Sequence, residues 1–209
     1  MKSKMSEIDS RKWTLDSNKT ALLVVDMQRD FVEEGAVMEV PMARSRVPAM
    51  RALVEKSRQH GIPVIFTRHL LLDAHNISPL EVAYQPWLQS AGMREGHPGS
   101  EIVPELAPEP DEIVIGKHRY DAFYNTRLET VIRNIGRRGS VDTLIITGTV
   151  TSVCCESTAR SAFMRDFKVL FVSDATGGFD SRSQEATLES IRRVFGHVVS
   201  TEELLAAIG

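Results

Sequence analysis

The sequence predicts an α/β fold, a three-layer αβα sandwich built on a mostly parallel six-stranded sheet with helices on both faces. Six short apolar runs recur along the 209 residues, and helix-period segments separate most of them. Each run is continuously apolar rather than alternating, as in strands covered on both faces. None approaches the roughly 18 to 20 apolar residues that span a bilayer.

The first run, 21–26, is Ala-Leu-Leu-Val-Val closed by Asp26. Beyond it Val47, Met50, Val54 and Ser57 share one helical face with Leu53 beside them, and Gly61 stands where a helix stop belongs. The second run is 63–67 and the third is 112–116. Between them, residues 69–111 hold six of the nine prolines, which predicts a long excursion serving binding surface or subunit contacts rather than core. Asn125 or Thr126 can cap a helix whose stripe is Leu128, Val131, Ile132 and Ile135, ended by Gly136 and Gly139. The fourth run, 143–147, leads to a helix over 152–167, and the fifth, 168–173, to a helix over 183–195. A weaker sixth run, 197–200, precedes a short helix opened by Thr201, Glu202 and Glu203. Residues 1–17 are expected to form an N-terminal arm and 18–209 a single domain.

Composition narrows the function. Lys and Arg total 25 against 28 Asp and Glu, so no overall positive field exists to hold nucleic acid. The first residues contain no apolar stretch resembling a signal peptide, so a cytoplasmic setting without membrane partners is expected. Cys154 and Cys155 are the only cysteines, and adjacent cysteines cannot staple distant segments or form a spaced zinc motif. They are expected to be thiols.

Ligands of open parallel sheets bind at the carboxyl ends of the strands. Three chemically capable residues fall there: Asp26, Lys117 and Cys154. Residues 148–154 read as a strand-to-helix turn that Thr151 or Ser152 can cap. This puts Cys154 at a helix N-terminus, where the dipole lowers a thiol pKa and free N–H groups can hold an oxyanion. A small core cysteine is the competing reading. Asp26 emerges from an apolar strand and needs a partner, for which Lys117 is the candidate; an ordinary sheet-edge ion pair is the alternative.

The residues around these three form ordered motifs: 21–31 (ALLVVDMQRDF), 117–126 (KHRYDAFYNT) and 147–160 (TGTVTSVCCESTAR). In order and spacing the chain resembles the isochorismatase-like cysteine hydrolases from about residue 18 onward. The resemblance implies a catalytic triad of Asp26 as acid/base, Lys117 as electrostatic partner and Cys154 as nucleophile. It also implies a cis peptide before Val150 and an oxyanion hole from the Val150 and Cys154 amides. Cys155 replaces an apolar family residue and is read as packing, and Glu156 with Arg160 as a helix-face pair. Phe31, His69, Tyr120 and Phe123 are the candidate substrate contacts, and His118 has no assigned role. Nicotinamidases of this family carry an Asp-x-His metal motif. Here Asp73 and His75 have that spacing but sit several residues late, so no metal is expected. Gly177-Gly178-Phe179-Asp180 lacks phosphate-loop order, so no nucleotide cofactor is expected either.

The expected activity is cysteine-dependent hydrolysis of a C–N bond in a small linear amide or ureido (carbamoyl) compound through a thioester. The rivals are isochorismatase-type vinyl-ether hydrolysis, a non-catalytic oligomeric binding protein, and a redox sensor using Cys154 and Cys155. The resemblance further implies a homo-oligomer, dimer or tetramer.

Overall fold

A computed structural model describes residues 15–73, 75–135 and 141–208. Most of the expected arm and the glycine stop at 136 and 139 lie outside the described residues. The six runs form one sheet: β1 (Thr20–Val25), β2 (Val64–His69), β3 (Ile113–Lys117), β4 (Thr143–Thr149), β5 (Lys168–Gly177) and β6 (His197–Val199). Every pairing is parallel and the order is β3-β2-β1-β4-β5-β6. The chain therefore winds outward from β1 in one direction through β3, then returns and winds the other way from β4. The direction reverses between β1 and β4, and it is at such a reversal that a crevice opens past the strand ends.

Alternate residues of β1 feed two cores. Leu22 and Val24 join the cluster under α2 (Ala43–Gln59) and α7 (Thr201–Ala207), with Met50, Leu53, Val54 and Leu204. Ala21, Leu23 and Val25 join the cluster under α4 (Leu128–Asn134), α5 (Glu156–Phe163) and α6 (Ser181–Ser190), with Leu128, Ile132, Ala159 and Leu188. This two-sided burial explains the unbroken apolar runs. Helix α2 ends where expected, with Gly61 at φ 68°. At the start of α4 it is Thr126 whose hydroxyl accepts from the Leu128 N–H, while Asn125 sits at φ 51°.

Several expectations need correction. The helix expected over 152–167 is a π-helical turn, Thr151–Cys155, followed by α5, which ends at Phe163. Neither Thr151 nor Ser152 caps it with a side chain. Lys117 closes β3 rather than following it. The excursion does supply core, through Leu71, Leu88, Met93, Val103 and Leu106. It is built of α3 (Pro79–Tyr84) and short 3₁₀ turns, each beginning at a proline, which suits the first position of a helix. A one-turn helix, α1 (Arg29–Val32), also follows β1.

Gln28 ties the excursion to the sheet. Its amide accepts from the His69 N–H at 2.7 Å and donates to the His69 and Ser100 carbonyls at 3.0 and 3.1 Å. Asp30 adds a second tie by accepting from the Met93 N–H at 2.7 Å.

Candidate active site

Asp26 leaves β1 at φ 49°, which turns its carboxylate across the ends of β2 and β3. Thr67 of β2 holds it: the Asp26 N–H donates to the Thr67 hydroxyl at 3.1 Å, and that hydroxyl donates to Asp26 Oδ1 at 2.6 Å. Lys117 starts two strands away, roughly 9.6 Å at ordinary strand spacing, so only a long side chain reaches. Its Nζ lies 2.6 Å from Asp26 Oδ2 and donates to the Arg119 carbonyl at 3.0 Å. Both side chains of this pair are essentially inaccessible, at 0% and 1%. The Asp26 carboxylate is thus held by the Thr67 hydroxyl and the Lys117 ammonium, and it is also hydrogen-bonded to the Cys154 thiol.

Cys154 meets them from the π-helical turn after β4, across the reversal point. One ligand-type atom from each of Asp26, His69 and Cys154 lies within 4.8 Å of the others. The Thr149–Val150 peptide is cis. The Val150 amide is hydrogen-bonded to Cys154 and favours its thiolate, as Lys117 does. Burial outweighs both and, with the Asp26 carboxylate nearby, pushes the thiol up to about 12. The lowered pKa expected from a helix N-terminus is thus not found: desolvation exceeds the dipole here, and the resting nucleophile is a neutral thiol beside an ion pair. Burial disfavours the Lys117 ammonium, but the Asp26 carboxylate beside it more than offsets this, and its pKa is raised.

The thiol lies at a cavity of about 420 Å³. Phe31, Val150, Val153 and Phe179 line it from the sheet edge, and Glu81, Gln85, Trp87, Leu88 and Met93 from the excursion. Of the four expected substrate contacts, Phe31, His69 and Tyr120 line this space. Phe123 does not: it is buried in the core under α4, stacked on Phe167 at 6.0 Å with Arg165 over its ring. Burial drives the His69 pKa well below 6.5, with Lys117 adding to the effect, so His69 is neutral. Tyr120, pushed up to about 12 by burial and by Glu81, is hydrogen-bonded to that carboxylate.

Cys155 is fully buried, with Sγ 3.8 Å from the Thr147 carbonyl, consistent with packing. Glu156 and Arg160 pair at 2.6 Å, and Glu156 also accepts from Thr187. Asp73 and His75 do not form a metal pair: both are exposed, and Asp73 Oδ1 accepts the His75 and Asn76 N–H groups in a turn. The Asp26, His69 and Cys154 set is compact enough for a cation, but the Lys117 ammonium already occupies the carboxylate, so these donors fit a metal poorly.

Thr67, Gln28 and Glu81 were not singled out from sequence. Thr67 is an unremarkable strand residue, and Gln28 lies inside a quoted motif without a legible role. Glu81 sits in a segment with no periodicity.

The isochorismatase domain model matches residues 20–203. The chain is 34% identical over 200 residues to nicotinamidase 3 of Arabidopsis thaliana, covering 94% of this chain and 92% of that one. It is also 34% identical to the isochorismatase of Bacillus subtilis (strain 168), covering 92% of this chain but 59% of that one. A cysteine hydrolase from Pseudomonas syringae pv. phaseolicola superposes with a TM-score of 0.88 at 31% identity, covering 94% of this chain and 95% of that one. With the matched domain spanning nearly its whole length, the chain belongs to the isochorismatase-like cysteine hydrolase family.

Proposed function

We propose that the chain is an amidohydrolase that cleaves the C–N bond of a small amide or ureido compound through a thioester on Cys154. The observation that carries this reading is a thiol at an apolar cavity, hydrogen-bonded to the carboxylate of a buried Asp26–Lys117 pair. Asp26 takes the thiol proton as Sγ attacks the carbonyl carbon, so the thiolate exists only as it is consumed. Lys117, 2.6 Å from the Asp26 carboxylate, offsets the charge that develops. The Val150 and Cys154 amides hold the oxyanion. Asp26 then protonates the departing nitrogen, and water attacks the thioester to release the acid or carbamate.

Nicotinamidase 3 and the Bacillus isochorismatase are equally similar in identity, so similarity does not choose between amide and vinyl-ether chemistry. The thiol favours the amide, since vinyl-ether hydrolysis needs no nucleophilic sulfur. Ammonia release from small amides should vanish in Cys154→Ala and persist in Cys155→Ala, with circular dichroism unchanged in both. Activity that survives Cys154→Ala would revive the vinyl-ether reading. A wild-type protein that binds but never hydrolyses would favour the binding-protein reading. Self-association into a dimer or tetramer in a cytoplasmic setting is the accompanying expectation, read by sedimentation. No helix among the described residues is long and apolar enough to cross a membrane.

A further inference from the structure

The cavity's polar inventory is lopsided. Among the described residues no lysine or arginine lines it, whereas two carboxylates do, Glu81 and Glu39. Arg94 donates through Nη2 to the Leu88 carbonyl, while its buried Nη1 has no partner, and Arg119 donates to the Asn76 and His118 carbonyls; neither residue lines the space. Lys117 is paired with Asp26. Glu81 is only 7% exposed, yet its Oε2 has no hydrogen-bond partner. The Tyr120 hydroxyl is hydrogen-bonded to the Glu81 carboxylate, whose pKa burial raises. Burying an unpaired carboxylate oxygen is costly, and the cost is relieved by a ligand that brings a donor. His69 Nε2 is likewise buried without a partner.

We infer that this cavity selects amides whose far end carries an N–H or ammonium group for Glu81, and that it excludes amides bearing a carboxylate. The inference rests on the amidohydrolase reading above and makes Glu81 the residue that decides specificity. A substrate carboxylate would be placed against the buried Glu81, whose own charge the nearby Arg119 and Lys117 already offset, with no lysine or arginine among the lining residues to meet it, the repulsive arrangement by which sites reject a wrong partner.

The test compares 3-aminobenzamide, 3-methylbenzamide and 3-carboxybenzamide, which share one scissile amide. At pH 8, kcat/KM for ammonia release should favour amino over methyl by about tenfold, and carboxylate should fall about 100-fold below methyl. Glu81→Leu should bring the amino-to-methyl ratio to within about twofold, and Glu81→Gln should raise the carboxylate-to-methyl ratio about tenfold. Carboxylate turnover equal to methyl, or ratios indifferent to both Glu81 variants, would overturn the inference. If a Glu81 variant does not fold, the wild-type ranking decides alone.

Binding is read separately as the Tm shift that each compound gives Cys154→Ala. The predicted ranking there, without ammonia release from the wild type, would uphold the inference and defeat the amidohydrolase reading. Ammonia release without the ranking would do the reverse.

Discussion

Removing one partner of a buried ion pair is worse than removing both, because the survivor is left charged and dry. Lys117→Met should therefore cost about 3 to 5 kcal/mol in urea unfolding and abolish turnover. An unchanged midpoint would mean that Asp26 does not depend on the lysine. The neutral resting thiol makes a second prediction. With burial holding the Cys154 pKa well above that of a free thiol, iodoacetamide should label it far more slowly than free cysteine, with a rate that climbs with pH. Labelling as fast as free cysteine would show a thiolate at rest. Asp26 and Lys117 were legible because each stands at the end of an apolar run, and Cys154 because it follows the strand-to-helix turn after the fourth. Thr67 was not, because threonine is also an ordinary strand former. Phe123 misled because it shares a motif with Tyr120, yet three residues along it faces the other core.

At the scale of elements, Gly148 shows how tightly β4 is fitted against β1. It sits at φ 115°, and a Cβ there would collide with the Val25 backbone carbonyl. Gly148→Ala should cost about 3 kcal/mol or more and remove turnover, because the same segment aims Cys154. Ser200→Ala provides the contrast. It dissolves the capping box with Glu203 at the start of α7 and should cost about 1 kcal/mol with kcat/KM unchanged. The strands were legible because burial on both faces leaves a mark in composition alone. Boundaries were less so: β5 continues to Gly177, past its apolar run, because Thr176 and Gly177 still pair with Gly148 and Thr149. The excursion defeated periodicity because it comprises single turns held by Gln28, Asp30 and side-chain packing.

For the whole molecule, buried titratable groups bound the pH range of stability from both sides. His69 is harder to protonate when folded than in the unfolded chain, so the unfolded chain binds more protons and stability falls as pH drops below about 6.5. Cys154 and Cys155 keep their protons when folded, whereas unfolded thiols lose theirs, so stability also falls above about 8.5. Urea midpoints measured from pH 5 to 10 should peak between these limits. His69→Gln should flatten the acid side and Cys155→Ala should soften the alkaline one, and a flat profile in the wild type would contradict both burial arguments. The sheet order also has a consequence in time. Thr147 of β4 donates to the Leu23 carbonyl of β1, 124 residues earlier. At about 5 to 20 residues per second, a ribosome delivers β4 roughly 6 to 25 s after β1. Until then the central strand of the sheet has neighbours on one side only, and its bare apolar edge is where a chaperone would bind or nascent chains would stick together. Protease protection of β1 in stalled chains should therefore appear only once β4 has emerged.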